Sequence, residues 1–209
     1  MKLRAALRGF LSISVVFSML LVLVIAVCAQ SLEKQISRVR PFSADQIHTI
    51  NNKTTTGKVY FTPNAVRIES DDAKGNKTIQ IMRFDQKVMW NVVPAQKMYV
   101  EMPGASLSDW ASWADTQGVQ RESLGMEQVG AYHCEKFRVQ LNVMGQQATS
   151  LEWDAKELDG LPVKTQDEKG KWSTEYRNVQ VAPQDPSLFE VPAGYQKISI
   201  GGMAGRPNQ

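Results

Sequence analysis

The sequence predicts a mainly β protein (α+β class) whose antiparallel sheet is strongly curled or closed. From Asp45 onward, short strand candidates alternate with turn residues at intervals of about eight to twelve residues, which is typical of an antiparallel meander or barrel. The pattern contains roughly nine or ten strands, and a small flat sheet does not hold so many. Helical periods are scarce over the same stretch, so strands are expected to form most of the fold.

The strand candidates form two sets, each recognised by alternating or continuous apolar residues between turn signals. The first set contains Lys58–Thr62, the alternations around Val66 and Ile68 and around Ile79 and Ile81, Val88–Val92, and Lys97–Met102. The second set contains Tyr132–Asn142, Gln147–Trp153, Leu161–Thr165 and Lys171–Val179. The turn signals are Pro63-Asn64, Asp71 to Asn76, Pro94, Gly145, Asp159-Gly160 and Lys169-Gly170.

Two segments are predicted to be short helices. The first begins after a capping Ser31 and ends before Pro41, with apolar residues at helical spacing: Leu32, Ile36 and Val39. The second spans about Ala105–Asp115 and carries Trp110 and Trp113. Two tryptophans on so short a helix are expected either to fill core above the sheet or to cover an apolar cleft.

The N-terminal segment is predicted to be an export signal. A basic head (Lys2, Arg4, Arg8) precedes eighteen uncharged, mostly apolar residues, Phe10–Val27, and the small residues Val27 and Ala29 favour a cut before Gln30. An uncleaved membrane anchor and a lipoprotein acylated at Cys28 are the alternatives. In each case the remainder faces outward, so an exported and periplasmic protein is expected.

Because the exported part carries no net charge, we expect no nucleic-acid partner. The signal contains three of the 24 Lys and Arg, which leaves 21 basic against 21 acidic side chains in the remainder. Attraction to phosphates requires an excess of positive charge on the folded part, and none remains. Contact with the membrane is expected only through the signal or anchor, or transiently.

The remaining 180 residues, 30–209, are expected to form a single domain with a flexible C-terminal tail from about residue 201. After cleavage the only cysteine is Cys134, so no internal disulfide is predicted and the fold must depend on packing and backbone pairing.

The sequence contains few side chains with the chemistry of a catalytic or metal site. His133, Cys134 and Glu135 look like a ligand cluster, but successive side chains of a strand point to opposite faces. His48 is the other histidine, and nothing in the sequence indicates that it pairs with Cys134. We therefore predict no catalytic residue, no metal and no cofactor, and we expect Cys134 to be a buried, inert thiol.

Several short motifs along the exported chain indicate a family resemblance. They are Pro41-Phe42-Ser43-Ala44 after the first predicted helix, Gly57-Lys58-Val59-Tyr60 leading to Pro63-Asn64, Asp85 to Trp90 with Pro94, and Phe189 to Tyr195. In order and spacing they resemble the LolA/LolB-type lipoprotein carriers of the bacterial envelope across nearly all of the mature chain. An uncharacterised bacterial group with this carrier-like domain, a domain of unknown function, is similar in Gln96 to Met102 and in Gly130 to Phe137.

The resemblance implies a strongly curved antiparallel half-barrel of about 9–11 strands, covered by one or two short helices, whose apolar concave side receives acyl chains. The residues expected to line this site alternate along the strands or lie on the covering helix: Val66, Ile68, Ile79, Ile81, Val88, Trp90, Val92, Trp110 and Trp113. Carriers that pass lipoproteins onward have a basic residue before the proline that matches Pro63, whereas this chain has Thr62. Ligand binding is therefore predicted, whereas onward transfer of a lipoprotein is not.

We expect an exported, non-enzymatic envelope protein that binds a hydrophobic ligand, either a lipid or the acyl part of a lipoprotein, as a carrier or chaperone. A first alternative is a protein-interaction or envelope-sensor module without ligand transfer. It is favoured if the concave positions are filled by the protein's own side chains. A hydrolase is the third alternative, and it requires a reactive Cys134 thiolate with an imidazole within reach.

Overall fold

The computed structural model describes residues 39–71, 75–105, 114–143 and 146–198. Within these ranges the chain forms twelve strands: β1 (Phe42–Ile50), β2 (Lys53–Thr62), β3 (Ala65–Asp71), β4 (Lys77–Arg83), β5 (Val88–Val93), β6 (Met98–Pro103), β7 (Ala114–Val129), β8 (Tyr132–Val143), β9 (Gln146–Ala155), β10 (Leu161–Asp167), β11 (Trp172–Val181) and β12 (Gln196–Ile198). Its described helices are three 3₁₀ turns: Pro94–Gln96, Lys156–Leu158 and Pro186–Phe189.

The strands belong to one sheet in which neighbours are hydrogen-bonded in the order β12-β6-β5-β4-β3-β2-β1-β11-β10-β9-β8-β7. Hairpin neighbours such as β3 and β4, or β8 and β9, pair antiparallel, while the short β12 runs parallel to β6. The predicted mainly antiparallel β class is confirmed. No helix in the described ranges has the length and apolar character that a membrane crossing requires.

The described chain divides into two compact units, the β2–β6 unit and the β7–β11 unit. The β2–β6 unit comprises residues 40–46, the described part of 55–107, and 178–198, and it includes β12. The β7–β11 unit comprises residues 47–54 and the described part of 108–177.

Local sequence explains where the strands turn. The β9–β10 connection ends in Asp159 and Gly160, which have φ angles of 55° and 80°, and Gly160 donates its backbone N–H to the Ala155 carbonyl at 2.9 Å. Glycine adopts this left-handed conformation without a steric penalty, and aspartate tolerates it better than most residues. After β10, the Asp167 carboxylate accepts hydrogen bonds from the backbone N–H groups of Lys169 and Lys171 at 3.1 and 3.2 Å.

The first predicted helix and most of the second lie outside the described residues. At the C-terminal end of the second, however, Ala114 and Asp115 lie in strand β7, so this part of the helix prediction is wrong. Strands β1 and β12 were not among the predicted strands, and neither was the long strand β7. It is an edge strand with exposed residues on both faces from Glu122 to Gln128, so it lacks the apolar alternation by which half-buried strands are recognised.

The backbones of β2 and β3 approach each other closely at Gly57, which pairs with Ser70. A Cβ atom on Gly57 would lie 1.9 Å from the Glu69 carbonyl oxygen, so any side chain requires the backbone to move. We therefore expect Gly57→Ala to lower the free energy of unfolding by about 1–3 kcal/mol. Urea unfolding should show this loss, whereas Thr56→Ala, at the exposed preceding position, should be nearly neutral. Equal stability of the two variants would contradict the close approach.

Candidate functional site

Strands β3 to β6 have two different faces, and strands β3, β4 and β5 bury side chains on both of them. The tryptophan face consists of Ala65, Arg67, Ile79, Ile81, Val88, Trp90, Val92 and Tyr99, since strand register places these residues opposite one another. The methionine face consists of Val66, Ile68, Gln80, Met82, Met89, Asn91, Val100 and Met102 on the same strands, together with Val59 and Phe61 of β2.

The tryptophan face is covered by the chain's own C-terminal segment, residues 185–195. Phe189 is 4% exposed and packs in a cluster with Ala65, Ile79, Ile81, Trp90 and Val92. Six partly buried side chains pack against this cluster, three from the segment and three from the strands: Leu188, Val191, Tyr195, Tyr60, Val88 and Tyr99. This face is therefore filled by the protein itself.

Polar contacts hold the C-terminal segment in place. Arg67 donates to the Leu188 carbonyl at 2.9 Å while its guanidinium also pairs with Glu69 at 2.7 Å. Arg83 bonds the Asp85 carboxylate at 2.8 Å and pairs with Glu190. Two arginines thus bind backbone or side-chain oxygens of a segment that has little regular structure of its own.

The methionine face is apolar and rich in thioethers. Register places Met82 opposite Met89, and Met89 opposite Met102, on three adjacent strands. Methionine is unbranched and polarizable, so a surface built from it adapts to ligands of irregular shape. Met82 and Met89 are buried, whereas Met102 is half-buried. Phe61 extends the face and stacks on Phe42 with ring centroids 5.4 Å apart.

Two amide side chains interrupt the methionine face. Gln80 donates from Nε2 to Asn91 Oδ1 at 3.1 Å, and the same nitrogen lies 3.7 Å from Met89 Sδ. Asn91 Nδ2 in turn lies 3.9 Å from Met102 Sδ. The amides are therefore satisfied mainly by each other and by sulfur, and neither carries a charge.

The residues predicted to line an apolar site do not share one face. Ile79, Ile81, Val88, Trp90 and Val92 lie together on the tryptophan face, and all but Val88 are buried there. Val66 and Ile68 lie on the methionine face, because the one-residue offset within β3 turns them away from Arg67 and Ala65. Trp110 and Trp113 lie outside the described residues.

The β7–β11 unit contains a buried ionic cluster that the sequence did not predict. Arg121 of edge strand β7 extends over the Phe137 ring, with 4.1 Å from guanidinium carbon to ring centroid. It donates from Nη1 to Glu152 Oε1 at 2.7 Å and from Nη2 to Asp154 Oδ2 at 2.6 Å. In the sequence, Glu152 and Asp154 alternate with Leu151, Trp153 and Ala155, which suggests solvent-facing carboxylates; no signal indicates burial.

Burial dominates the electrostatics of this cluster. It raises the pKa of Glu152 well above its usual range, and the neighbouring Asp154 carboxylate raises it further, while Arg121 opposes both effects. Burial also raises the pKa of Asp154, again against Arg121. One guanidinium faces two carboxyl groups, so a proton held by Glu152 is the simplest way to neutralise the cluster.

Hydroxyl groups continue this polar region across the same face. Thr165 lies directly opposite Glu152, and Thr174 lies opposite Thr165. The Thr174 hydroxyl is 2.9 Å from His48 Nδ1, and burial lowers the pKa of His48. The histidine is therefore neutral near pH 7.

Cys134 and its neighbours are not arranged for catalysis. Burial raises the pKa of the Cys134 thiol to about 11, with the Glu157 carboxylate as the second cause. His133 is exposed and bonds Glu157 at 2.7 Å through Nδ1. Among the described residues, no group of three or more His, Cys, Asp or Glu side chains is close enough to hold a metal ion.

Thr62, at the position where the carriers have a basic residue, has a local structural role. Its hydroxyl accepts the Ala65 backbone N–H at 3.1 Å and so closes the turn through Pro63 and Asn64. The side chain is committed to the β2–β3 connection.

The mainly antiparallel sheet agrees with the fold that the resemblance in the sequence implies, and the resemblance to an uncharacterised bacterial domain group is confirmed. The chain belongs to the family described as a domain of unknown function (DUF4412), whose family model matches residues 46–158.

The structure is similar to several solved structures at low sequence identity. The structure of MucB is 15% identical with a TM-score of 0.50, and the match covers 78% of this chain and 62% of MucB, less than two thirds of that protein. The Mycobacterium tuberculosis lipoprotein LppX is 10% identical with a TM-score of 0.45, over 73% of this chain and 95% of LppX.

A third similar structure is a domain described as outer membrane lipoprotein-sorting, from Vibrio parahaemolyticus. It is 10% identical with a TM-score of 0.35, over 75% of this chain and 92% of that domain. No curated protein matches the chain. At these identities the likeness concerns the fold alone.

Phe189 anchors the C-terminal segment on the tryptophan face. We expect Phe189→Ala to lower the free energy of unfolding by about 3–5 kcal/mol, because it leaves a cavity beside Trp90 and Ile81. Leu188→Ala, at the half-buried neighbouring position, should cost less. Urea unfolding of both variants is the measurement, and a smaller effect for Phe189→Ala than for Leu188→Ala would contradict this packing.

The raised pKa of Glu152 predicts how stability changes with pH. A group whose folded pKa exceeds its unfolded value, about 4.3 for glutamate, contributes full stability below the unfolded pKa and loses it as the pH rises through the folded pKa. We therefore expect the unfolding free energy of the wild type to decrease with rising pH relative to that of Glu152→Gln. Urea unfolding from about pH 4 to 9 tests this, and parallel curves would count against it. Glu122→Gln, which removes an exposed carboxylate, is the matched control.

Proposed function

We propose that the protein is an exported, non-enzymatic envelope protein that binds a lipid or the acyl chains of a lipoprotein on its methionine face. The observation that carries the proposal is a continuous, largely buried apolar face with three methionines in register across β4, β5 and β6. Its polar groups on β4 and β5 are uncharged: the amides of Gln80 and Asn91 and, near the start of β4, the Thr78 hydroxyl. Such a surface offers dispersion contacts and little directional recognition, as the binding of acyl chains requires.

The arrangement of the two faces refines which residues serve this role. Val66 and Ile68 retain their proposed contact with ligand, and Met82 and Met89 join them. The five predicted residues of the tryptophan face pack against the C-terminal segment and are proposed to support the sheet from behind. Trp110 and Trp113 keep their proposed place in a covering segment.

The chemistry of the described residues supports a non-enzymatic role. A thiol with a pKa of about 11 is almost wholly protonated near neutral pH, so Cys134 is a poor nucleophile. Thr62 closes a turn in place of the carriers' basic residue, and we therefore propose binding without the onward transfer that carriers perform.

A protein-interaction module is the second candidate, and one observation favours it. The exposed large apolar side chains of the described residues are Leu124 and Met126, 38% and 50% exposed, and both lie on edge strand β7. An edge strand with unpaired backbone groups accepts an added strand from a partner protein. Failure of acyl binding in the experiment below would leave this candidate as the better account.

Acyl binding is tested by calorimetric titration of the delipidated protein with saturated fatty acids of about 8 to 16 carbons. We expect affinity to rise with length, by at most about 0.8 kcal/mol per methylene, and to depend little on salt. Met89→Gln should weaken binding because it places an amide on the apolar face, whereas Met89→Leu should retain it.

The control is Met126→Gln, which makes the same replacement at an exposed position of β7 and should leave binding unchanged. Circular dichroism establishes that each variant is folded. Absence of binding at every chain length, for a folded and empty protein, would overturn the proposed function. An equal loss in Met126→Gln would place the ligand elsewhere than the methionine face.

A further inference from the structure

The ionic cluster of the β7–β11 unit is surrounded by buried acceptor atoms that no described donor reaches. In the described part of the chain, no donor of another residue reaches Glu152 Oε2 or Asp154 Oδ1, although the other oxygen of each carboxylate bonds Arg121. The two carboxyl groups are within hydrogen-bonding reach of each other, so they can bond only while one of them holds a proton. The Ser150 and Thr165 hydroxyls are likewise without a partner there. Ser150 is 3% exposed and Thr165 is wholly buried. A buried polar group without a partner costs free energy, so four together require an explanation.

These four atoms belong to neighbouring positions on one face of two strands. Ser150, Glu152 and Asp154 follow one another at every second residue of β9 and therefore point to the same side. Thr165 of β10 pairs directly with Glu152. Side chains that are opposite or two residues apart on one face are within mutual reach, so a single small group placed beside Glu152 can contact several of them.

The charge and the donor count of the cluster indicate what that group is. Arg121 supplies one positive charge against two carboxyl groups, and Glu135, on the same face of β8, adds a further acid that bonds Ser123 at 2.8 Å. The unfilled positions are two carboxyl oxygens, which can only accept hydrogen bonds when the groups are ionised, and two hydroxyls, which can also accept. A positively charged group with several N–H donors satisfies both the charge and the acceptors.

We propose that Glu152, Asp154 and the Thr165 hydroxyl form a binding site for a primary ammonium group. An ammonium has three N–H donors, one for each of Glu152 Oε2, Asp154 Oδ1 and the hydroxyl, and it neutralises the second carboxylate. Arg121 bonds Glu152 Oε1 and Asp154 Oδ2 and so fixes the orientation of both carboxyl groups. This site lies within the β7–β11 unit and is independent of acyl binding on the methionine face.

Exposure within the cluster indicates the direction of entry. Side-chain exposure falls from 16% at Asp154 to 10% at Arg121 and 0% at Glu152. An ammonium group therefore meets Asp154 first and reaches Glu152 last. In the empty protein, a proton on Glu152 or an internal water takes its place beside the carboxylates.

The experiment compares ammonium compounds that differ only in their N–H donors. Methylammonium and tetramethylammonium are titrated into isotope-labelled protein, and the amide shifts of Glu152, Asp154 and Thr165 are followed by NMR. We expect saturable shifts with methylammonium and none with tetramethylammonium. Dihexanoyl phosphatidylethanolamine and its choline analogue are titrated in parallel, because they separate a lipid headgroup from a free amine.

Variants of the site should separate binding from stability. Glu152→Gln should weaken methylammonium binding at least tenfold, whereas Glu122→Gln, an exposed carboxylate on β7, should not change it. Thr165→Val should raise the Tm of the empty protein, because it removes a buried hydroxyl without a described partner, and should still weaken binding. A merely structural hydroxyl would not produce this combination.

Each outcome decides the proposal. Binding of methylammonium and the ethanolamine lipid, lost in Glu152→Gln, supports a headgroup site, and binding of methylammonium alone supports a small-amine site. Equal binding of the ethanolamine and choline lipids without any methylammonium response would report the acyl chains only and would overturn the ammonium site. Absence of every response in folded protein would do the same and would leave a proton or water as the occupant.

Discussion

Strands β3, β4 and β5 bury side chains on both of their faces, and the rest of the β2–β6 unit depends on this two-sided burial. Alternate residues of each strand point to opposite sides, so one face is covered by the C-terminal segment and the other forms the methionine face. The face that the C-terminal segment covers and the methionine face therefore differ in amino-acid composition. The division between support and binding surface therefore follows from the geometry of a strand.

The two units solve burial by different means. In the β2–β6 unit, apolar packing around Phe189 is supplemented by arginines whose partners lie at the margin of the covering segment. In the β7–β11 unit, Arg121 of the edge strand β7 forms ion pairs with two carboxyl groups, one of which is wholly buried. Buried ionisable groups are rarely the most stable solution for a core, which is why the proposed ammonium site is sought at this cluster.

A carrier-like fold restricts function without deciding it. The family is described as a domain of unknown function, and the similarity to MucB at 15% identity establishes the fold alone. The proposed binding of an apolar ligand and the alternative, binding of a partner protein, involve different parts of the chain, the methionine face and the β7 edge. Each can be altered by substitution without changing the other, since the residues involved belong to different units.

The sequence by itself determined the antiparallel β class, most strand positions and the turns, because alternation, β-branched residues and turn residues act over a few neighbouring positions. It also indicated the carrier resemblance through motifs such as Phe189 to Tyr195. Strand β7 escaped prediction because an exposed edge needs no apolar pattern.

Only the tertiary structure decided which apolar residues lie together. Val66 and Ile81 are both apolar and both alternate with polar neighbours, yet pairing register places them on opposite faces. The burial of Glu152 beside Arg121, 31 residues away in sequence, likewise depends on contacts across strands. Local patterns specify the secondary structure of a segment, whereas long-range strand pairing decides which segments it contacts. The tryptophan face and the methionine face both depend on long-range pairing.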